Sequence, residues 1–223
     1  MPSGQGPISI KSAEDFAKTF DVPRETIQKL ARYAELLAHW QKSTNLIAPS
    51  TLPALWSRHF ADSAQIHNLA PEARLSLDLG SGAGFPGLVI AILQAVRPGF
   101  RMHLVESNRK KCAFLAEIAR ETAAPVDIHA MRIEELAQSP QRLKPDVVSA
   151  RALAPLPRLF ELSAPFFGAN TRGLFLKGRE AEAEIEDAGR EWSFDYRLHP
   201  SLTSAGASIV EVTRLGPRKA MTS

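Results

Sequence analysis

Short apolar segments alternate with helical ones between residues 74 and 215, and this alternation restricts the possible fold more than any other feature of the chain. Strand patterns lie at residues 75–79, 102–105, 126–129, 146–149, 173–177, 195–198 and 208–214, and helical patterns at 85–96, 110–120, 156–167 and 180–191. Strands that alternate with helices form mostly parallel sheets covered by helices on both faces. The last two strands leave no room for a crossover helix, so they should be antiparallel. We therefore expect an α/β fold with a Rossmann-like, mostly parallel, seven-stranded sheet flanked by helices.

The chain before the first strand contains only helical patterns. Apolar residues recur every three or four positions in residues 12–40, and residues 52–69 show a second helical pattern. We interpret residues 1–73 as an N-terminal helical extension and residues 74–215 as the domain that carries the site. Residues 216–223 are predicted to be a flexible tail.

Composition is that of a globular protein and limits its surroundings. Hydrophobic residues make up 44% of the chain, no apolar run reaches the roughly 20 residues that span a bilayer, and the N-terminus lacks a secretory signal pattern. The single cysteine, Cys112, cannot form an internal disulfide, which favours a reducing compartment. We therefore predict a cytoplasmic protein without membrane association. We also expect a monomer. The scattered histidines predict no metal site, and the net charge of +3 permits a nucleic-acid partner without requiring one.

A glycine-rich turn follows the first predicted strand and carries the clearest functional signal. Asp78 precedes Gly80, Gly82 and Gly84, which allow a sharp bend and let a ligand approach the backbone. The stretch from Gly82 to Gly87 formally matches the dinucleotide fingerprint G-x-G-x-x-G, so an NAD-dependent oxidoreductase is one interpretation. However, the bend begins already at Gly80, and a carboxylate at the strand end suits the cationic amino group of methionine better than a pyrophosphate. We therefore favour S-adenosylmethionine as the cofactor.

Two later segments extend this cofactor site. Glu106 ends the second predicted strand, where a carboxylate can accept hydrogen bonds from both ribose hydroxyls. After the third strand, Ile133 can pack on the purine ring, and Glu134 or the backbone beside it can meet the exocyclic amine. Without the glycine-rich turn, both segments would be interpreted as ordinary helix N-termini, where the helix dipole favours acids.

Six motifs resemble, in the same order, those of the RsmG family, which is also called GidB. They lie at residues 39–46 (HWQKSTNL), 58–63 (RHFADS), 78–87 (DLGSGAGFPG), 106–111 (ESNRKK), 149–152 (SARA) and 176–178 (LKG). The resemblance implies a class I methyltransferase that uses S-adenosylmethionine to methylate N7 of a guanine in bacterial 16S rRNA. The implied partner is 16S rRNA or the small ribosomal subunit. The resemblance also implies cofactor contacts at Gly80, Phe85, Ile133, Glu134 and Arg151.

Cations at the ends of the fourth and fifth strands are candidate catalytic residues. Arg151 can orient the target base or a phosphate by a bidentate contact, and Lys177 should face the same sheet edge. His59 and Arg58 are candidates to orient the substrate or to bind RNA. A general base is not expected, because N7 of a purine already bears a lone pair and loses no proton on methylation. The plain alternatives are solvated strand-end charges for Arg151 and Lys177 and a buried interface position for His59.

Three consecutive cations, Arg109, Lys110 and Lys111, lie near the start of a predicted helix, where the helix dipole disfavours positive charge. We interpret them as RNA-binding residues, with solvated surface charge as the alternative. The second functional hypothesis is a methyltransferase of the same fold that acts on a small molecule or a protein. Because such an enzyme would make no phosphate contacts, its activity would survive high salt.

Overall fold

The computed structural model describes residues 8–140 and 143–218, and its centre is one seven-stranded sheet. The strands are β1 (Leu75–Leu79), β2 (Arg101–Val105), β3 (Val126–His129), β4 (Val147–Arg151), β5 (Arg172–Lys177), β6 (Trp192–Pro200) and β7 (Ser208–Pro217). Their order is β3-β2-β1-β4-β5-β7-β6. β7 is antiparallel to β5 and β6, and all other neighbours are parallel, which confirms the predicted sheet. The strand order reverses between β1 and β4, the place where open α/β sheets bind ligands.

The α-helices cover both faces of this sheet. They are α1 (Ala13–Phe20), α2 (Arg24–Trp40), α3 (Asp62–Leu69), α4 (Gly87–Gln94), α5 (Arg109–Thr122), α6 (Ile133–Ala137), α7 (Leu156–Ser163) and α8 (Ala181–Ala188). Buried apolar side chains form two clusters, one between the sheet and α1–α5 and one between the sheet and α6–α8. α4 is apolar on nearly all sides, because it is enclosed by β2 on one side and by α2 and α3 on the other.

The helical extension is divided differently from the prediction. Residues 12–40 form two helices, because Asp21 adopts a left-handed conformation (φ 49°) after α1 and Pro23 then precedes α2. Apolar spacing continues on both sides of this break, so periodicity did not reveal it. Ser12 caps α1, and its hydroxyl accepts a hydrogen bond from the amide of Asp15 at 3.2 Å.

The helical pattern at residues 52–69 corresponds to three segments rather than one. A 3-10 helix (Pro49–Ala54) is followed by one π-helical turn (Trp56–Ala61) and then by α3. Pro53 lies inside the first segment, where it cannot donate a backbone hydrogen bond. The π-helical turn contains the buried side chain of His59. Such turns are frequent at functional sites.

The predicted domain boundaries can be compared with the observed strands and core. β7 extends to Pro217, so the first two residues of the predicted tail belong to a strand. Residues 1–7 and 219–223 lie outside the described residues. The division at residue 73 stays a prediction, and the core on the α1–α5 face combines side chains from both sides of it.

Candidate active site

The glycine-rich turn after β1 uses backbone conformations that side chains disfavour. Gly80, Gly82 and Gly84 have positive φ values of 66°, 55° and 91°. A Cβ atom at Gly84 would lie 2.5 Å from Leu88 and 2.6 Å from the Tyr33 hydroxyl, so packing requires glycine there. A Cβ atom at Gly82 would have no neighbour nearer than the carbonyl oxygen of Gly80, at 3.7 Å. The turn is therefore tightly packed at Gly84 and open at Gly82. The open side leaves space for a ligand to contact the backbone.

Asp78, in β1, holds the turn from inside the protein. Its side chain is fully buried, and its carboxylate accepts hydrogen bonds from the Ser149 hydroxyl (Oδ1, 2.8 Å) and the Gly87 amide (Oδ2, 3.3 Å). Burial raises the pKa of Asp78 to about 6, although these hydrogen bonds oppose the shift. Asp78 thus joins β1 to β4 and to the start of α4. This is a structural role, and the predicted contact with a methionine amino group stays a prediction.

Glu106, just after β2, reaches the same turn. Its Oε2 accepts a hydrogen bond from the Gly82 amide at 2.9 Å, and its Oε1 accepts one from the Asn108 amide at 2.7 Å. Each carboxylate oxygen has a second acceptor position, so the group can still bind two hydroxyls. The side chain is partly exposed. The structure therefore brings Glu106 to the glycine-rich turn, as the predicted ribose contact requires.

Ile133 and Glu134 begin α6, which follows β3. Ile133 is almost fully buried, whereas Glu134 is half-exposed and forms an ion pair with Arg158 at 2.7 Å. An S-adenosylmethionine molecule needs close backbone approach, acceptors for its ribose and an apolar surface for its adenine. Gly82, Glu106 and Ile133 supply groups of these three kinds, so the residues present fit this cofactor.

A second group of side chains surrounds the end of β4. Arg151 donates hydrogen bonds from Nη1 to the carbonyl oxygen of Arg58 (2.9 Å) and from Nη2 to Nδ1 of His59 (2.6 Å). Its guanidinium also lies over the Phe85 ring, 5.2 Å from the centroid. Burial lowers the pKa of Arg151, but a guanidinium stays charged in proteins. Both Nη atoms therefore bind the helical extension, and the predicted contact with the target base stays a prediction.

His59 is held in one tautomer by a directional chain of hydrogen bonds. Its Nδ1 accepts from Arg151, so the ring proton is on Nε2, which lies 2.9 Å from the Thr51 hydroxyl. That hydroxyl in turn donates to the Ala48 carbonyl oxygen at 2.7 Å. Burial and the charges of Arg151 and Arg58 lower the pKa of His59 to about 3. His59 is thus a neutral, fully engaged side chain, which agrees with the expectation that it is not a general base.

These side chains border a cavity of about 550 Å³, a size common for small-ligand sites. Its walls come from the 3-10 and π-helical segments, α3, the ends of β4 and β5, α8, the start of β7 and the β6–β7 loop. Arg151 and Ala152 line it, whereas Leu153 packs against the turn, 2.6 Å from a Cβ placed on Gly80. Ala152 adopts a left-handed conformation (φ 51°), which is uncommon for a residue with a side chain. Residues 151–153 therefore border both the cavity and the glycine-rich turn.

Lys177 lines the cavity, but its charge is neutralised. Its Nζ forms an ion pair with Oε2 of Glu184 at 2.6 Å and donates to the Ala154 carbonyl oxygen at 2.9 Å. The same Glu184 oxygen accepts from the Leu156 amide at 2.7 Å. The sequence did not indicate this pairing, because several acids lie close together in α8 and their order does not show which one faces Lys177. A catalytic role for Lys177 stays a prediction and requires an exchange of partners.

The predicted RNA-binding cations lie in two places. Arg58 lines the cavity, and its guanidinium has no hydrogen bond or ion pair with any described residue. Arg109, Lys110 and Lys111 form the first turn of α5, where Asn108 caps the helix by accepting from the amides of Lys110 and Lys111. Elsewhere in the described chain there is no ion-pair partner for these three side chains. All four cations are therefore available to a phosphate backbone.

Two residues of the site were not predicted. Tyr33 of α2 is fully buried, donates a hydrogen bond to the Ala83 carbonyl oxygen and stacks on Phe85, with ring centroids 5.3 Å apart. Nothing in the pattern of α2 distinguishes this tyrosine from any other core residue. Asp62 lines the cavity. Its motif, RHFADS, was recognised, but no acid was expected on the substrate side.

Three further observations concern metals, membranes and the cysteine. Within residues 8–140 and 143–218, no group of three or more His, Cys, Asp or Glu side chains is placed to hold a metal ion. The helices of the same residues include none with the length and apolar character needed to cross a bilayer. Cys112 is buried, and its thiol donates to the Glu106 carbonyl oxygen at 3.1 Å.

Comparison with known proteins identifies the family of this chain. The sequence pattern of the GidB family, described as rRNA small subunit methyltransferase G, matches residues 26–213. The chain belongs to the GidB family. The ribosomal RNA small subunit methyltransferase G of Parvibaculum lavamentivorans is 51% identical over 214 residues, which are 95% of this chain and 94% of that protein. The protein of the same name from Methylorubrum populi is 51% identical over 195 residues, or 87% and 92% of the two chains.

Solved structures confirm the class I methyltransferase fold. The O-methyltransferase of Bacillus cereus, solved in complex with SAH, has a TM-score of 0.61 at 12% identity and covers 91% of this chain and 100% of its own. The O-methyltransferase TomG of Streptomyces achromogenes, solved with SAM, has a TM-score of 0.57 at 14% identity, with coverage of 82% and 87%. At these identities the likeness establishes the fold alone. Membership of the GidB family confirms the predicted enzyme class, an rRNA methyltransferase, and decides against the oxidoreductase alternative.

Proposed function

We propose that this GidB-family protein transfers a methyl group from S-adenosylmethionine to N7 of a guanine in bacterial 16S rRNA. The observation that carries the proposal is the adjacency of two sites. The glycine-rich turn fits the methyl donor, and residues 151–153 border both this turn and a cavity large enough for a purine. A base in the cavity can therefore direct N7 toward a donor seated at the turn.

The chemistry demands little from acid–base groups. When bound, S-adenosylmethionine supplies an electrophilic methyl carbon on a sulfonium. The lone pair of N7 would form the new bond to carbon while the carbon–sulfur bond breaks and sulfur keeps its electron pair. No proton leaves, so the residues of this chain act by positioning and by electrostatics. Glu106 and Gly82 position the donor, and the neutral His59 takes no proton because its Nδ1 is occupied by Arg151.

Arg151 positions both halves of the site. It contacts Phe85 at the end of the glycine-rich turn and binds Arg58 and His59 of the helical extension. A change at Arg151 therefore disturbs the alignment of donor and base even without direct substrate contact. The side chains of Arg58, Arg109, Lys110 and Lys111 are the candidate contacts for rRNA phosphates.

The partner in this proposal is 16S rRNA or the small ribosomal subunit, and the compartment is the cytoplasm, where ribosomal subunits are assembled. The protein acts as a monomer in this proposal, because the turn, Glu106, Arg151 and the cavity all come from one chain.

Transfer of a labelled methyl group tests the proposal. The purified protein is incubated with methyl-labelled S-adenosylmethionine and with small subunits from a bacterial strain that lacks this enzyme. We expect label in 16S rRNA at N7 of one guanine, identified by the chemical lability of N7-methylguanine and by nuclease mapping. Label at another atom, or no label from protein that binds the donor, would contradict the proposal.

A further inference from the structure

One carboxylate in the cavity has no role in the proposed mechanism of methyl transfer. Asp62 is the first residue of α3 and lines the cavity together with Arg58 and His59. Glu184, the second carboxylate in the cavity wall, is neutralised by its ion pair with Lys177. Asp62, in contrast, forms no ion pair with any described residue. The cavity therefore contains one carboxylate whose charge is not balanced at contact distance.

The two oxygens of Asp62 have different surroundings. Oδ1 accepts hydrogen bonds from Nε2 of Gln65, at 3.3 Å, and from the Thr203 hydroxyl. Gln65 is itself fixed, because its Oε1 accepts from the Leu202 amide at 2.7 Å. Oδ2 accepts no hydrogen bond from the described residues. α3 and the β6–β7 loop thus hold the carboxylate by one oxygen and leave the other as an acceptor for a ligand.

A free acceptor here bears on how guanine is distinguished from adenine. Both purines carry a lone pair at N7, so the reacting atom does not discriminate between them. At the edge opposite N7, guanine presents the N1–H and 2-amino donors, whereas adenine presents a lone pair at N1. A carboxylate accepts a hydrogen bond from the first edge and repels the second. A site built around such a contact rejects the base that lacks the donor.

We propose that Oδ2 of Asp62 accepts the N1–H of the target guanine and makes the cavity selective for guanine. This inference rests on the proposed function. The purine fixes the orientation: when N7 is directed toward the glycine-rich turn, the N1 edge points away from the turn and into the cavity. The carboxylate also stabilises the positive charge that the purine gains on N7 methylation. Asp62 is thus a specificity-determining residue.

The substitution Asp62→Asn tests this contact with little change of shape. Asparagine keeps an Oδ1 for Gln65 and Thr203 but replaces Oδ2 by an N–H donor, which opposes N1–H of guanine and matches N1 of adenine. The substrates are small subunits reconstituted with 16S rRNA transcripts that carry guanine or adenine at the target position. We expect kcat/KM for guanine to fall about 10- to 100-fold and the guanine-to-adenine ratio to fall at least as far. The affinity for S-adenosylmethionine, measured by calorimetry, should stay unchanged.

Thr203→Val is the matched control. It alters the wall beside Oδ1 but leaves Oδ2 in place, so the guanine-to-adenine ratio should remain that of the wild type. A wild-type ratio in Asp62→Asn that still binds the donor overturns the inference, even if the absolute rate has fallen.

A substrate with inosine at the target position tests the same contact without any variant, in case Asp62→Asn does not fold. Inosine keeps N1–H but lacks the 2-amino group, so the wild-type protein should methylate it within about tenfold of guanine. Transfer to inosine as low as to adenine overturns the inference and leaves the proposed function intact. If the wild-type protein fails to label guanine N7 at all, the proposed function and the inference both fall.

Discussion

The glycine-rich turn and the cavity lie side by side, but they are built in opposite ways. The turn consists of backbone atoms from one continuous stretch, residues 78–87, and its shape follows from glycines with positive φ. The cavity consists of side chains from segments far apart in the sequence, brought together by the helical extension, two strand ends and the β6–β7 loop. The backbone shape of the turn is thus set largely by its own residues, whereas the cavity exists only after the extension has packed on the sheet.

This difference predicts a separation of effects. Substitutions at the turn should remove donor binding, and substitutions in the cavity should remove methyl transfer while donor binding survives. A cavity variant that loses donor binding, or a turn variant that keeps it, would show that the two sites are not independent.

Among the substitutions of charged residues, Glu106→Gln should have the largest effect, on donor binding. The carboxylate accepts from the amides of Gly82 and Asn108, and a glutamine must turn its own NH₂ toward one of them. We expect the affinity for S-adenosylmethionine, measured by calorimetry, to fall about 100-fold. The exposed Glu135 on α6 provides the control, since Glu135→Gln should leave the affinity within about twofold. Wild-type affinity in Glu106→Gln would remove this residue from the donor site.

Arg151→Met should lower methyl transfer to small subunits about 10- to 100-fold, because the hydrogen bonds that hold His59 and the Arg58 carbonyl are lost. Single-turnover rates with labelled donor measure this loss. Donor affinity should fall by less than about tenfold, since Arg151 reaches the turn only through Phe85. A loss of donor affinity as large as that of Glu106→Gln would place Arg151 in the donor site instead.

Asp78 should make the stability of the protein depend on pH. Its folded-state pKa is raised to about 6 from 3.8, so the folded state binds a proton more tightly than the unfolded state. The stabilisation is therefore present at low pH and is lost as pH rises through this window. Relative to Asp78→Asn, which does not titrate, the unfolding free energy of the wild type should fall by about 2 kcal/mol between about pH 4.5 and 7.5. Urea denaturation at several pH values measures the difference, and a constant difference would contradict it.

The double substitution Lys110→Gln, Lys111→Gln should have the smallest effect. If both side chains contact phosphates, the slope of log binding constant against log salt concentration should decrease in magnitude by about 1.5. Donor affinity should not change, because neither side chain contacts the turn. An unchanged slope in a filter-binding titration with small subunits would assign both lysines to solvated surface.

The meeting of the glycine-rich turn with Glu106 could be predicted from the sequence, and the arrangement of the cavity only in part. Glycine spacing after a strand and an acid at the next strand end are local signals, and Gly82 and Glu106 meet in the structure as they imply. The break at Asp21 depends on a left-handed residue, and the pairing of Lys177 with Glu184 depends on how α8 packs beside the end of β5. Neither leaves a trace in apolar periodicity or in the order of charges.

The packing that supports the turn from inside the protein could not be predicted from the sequence either. Tyr33 of the extension packs against Phe85 and Gly84, although it precedes Ala83 of the turn by 50 residues. Only the folded core reveals such a contact. For the same reason, the role of Asp62 follows from its neighbours Gln65 and Thr203 rather than from its motif.

Donor binding by Gly82→Ala shows whether the glycine-rich turn seats S-adenosylmethionine. Gly82 has open space on its Cβ side and a φ of 55°, so alanine should cost the fold only about 1–2 kcal/mol while placing a methyl group where the donor approaches. Calorimetric titration with S-adenosylmethionine should show an affinity at least about 100-fold weaker than wild type, in a protein that still unfolds cooperatively and binds small subunits. Wild-type donor affinity in Gly82→Ala would contradict the account.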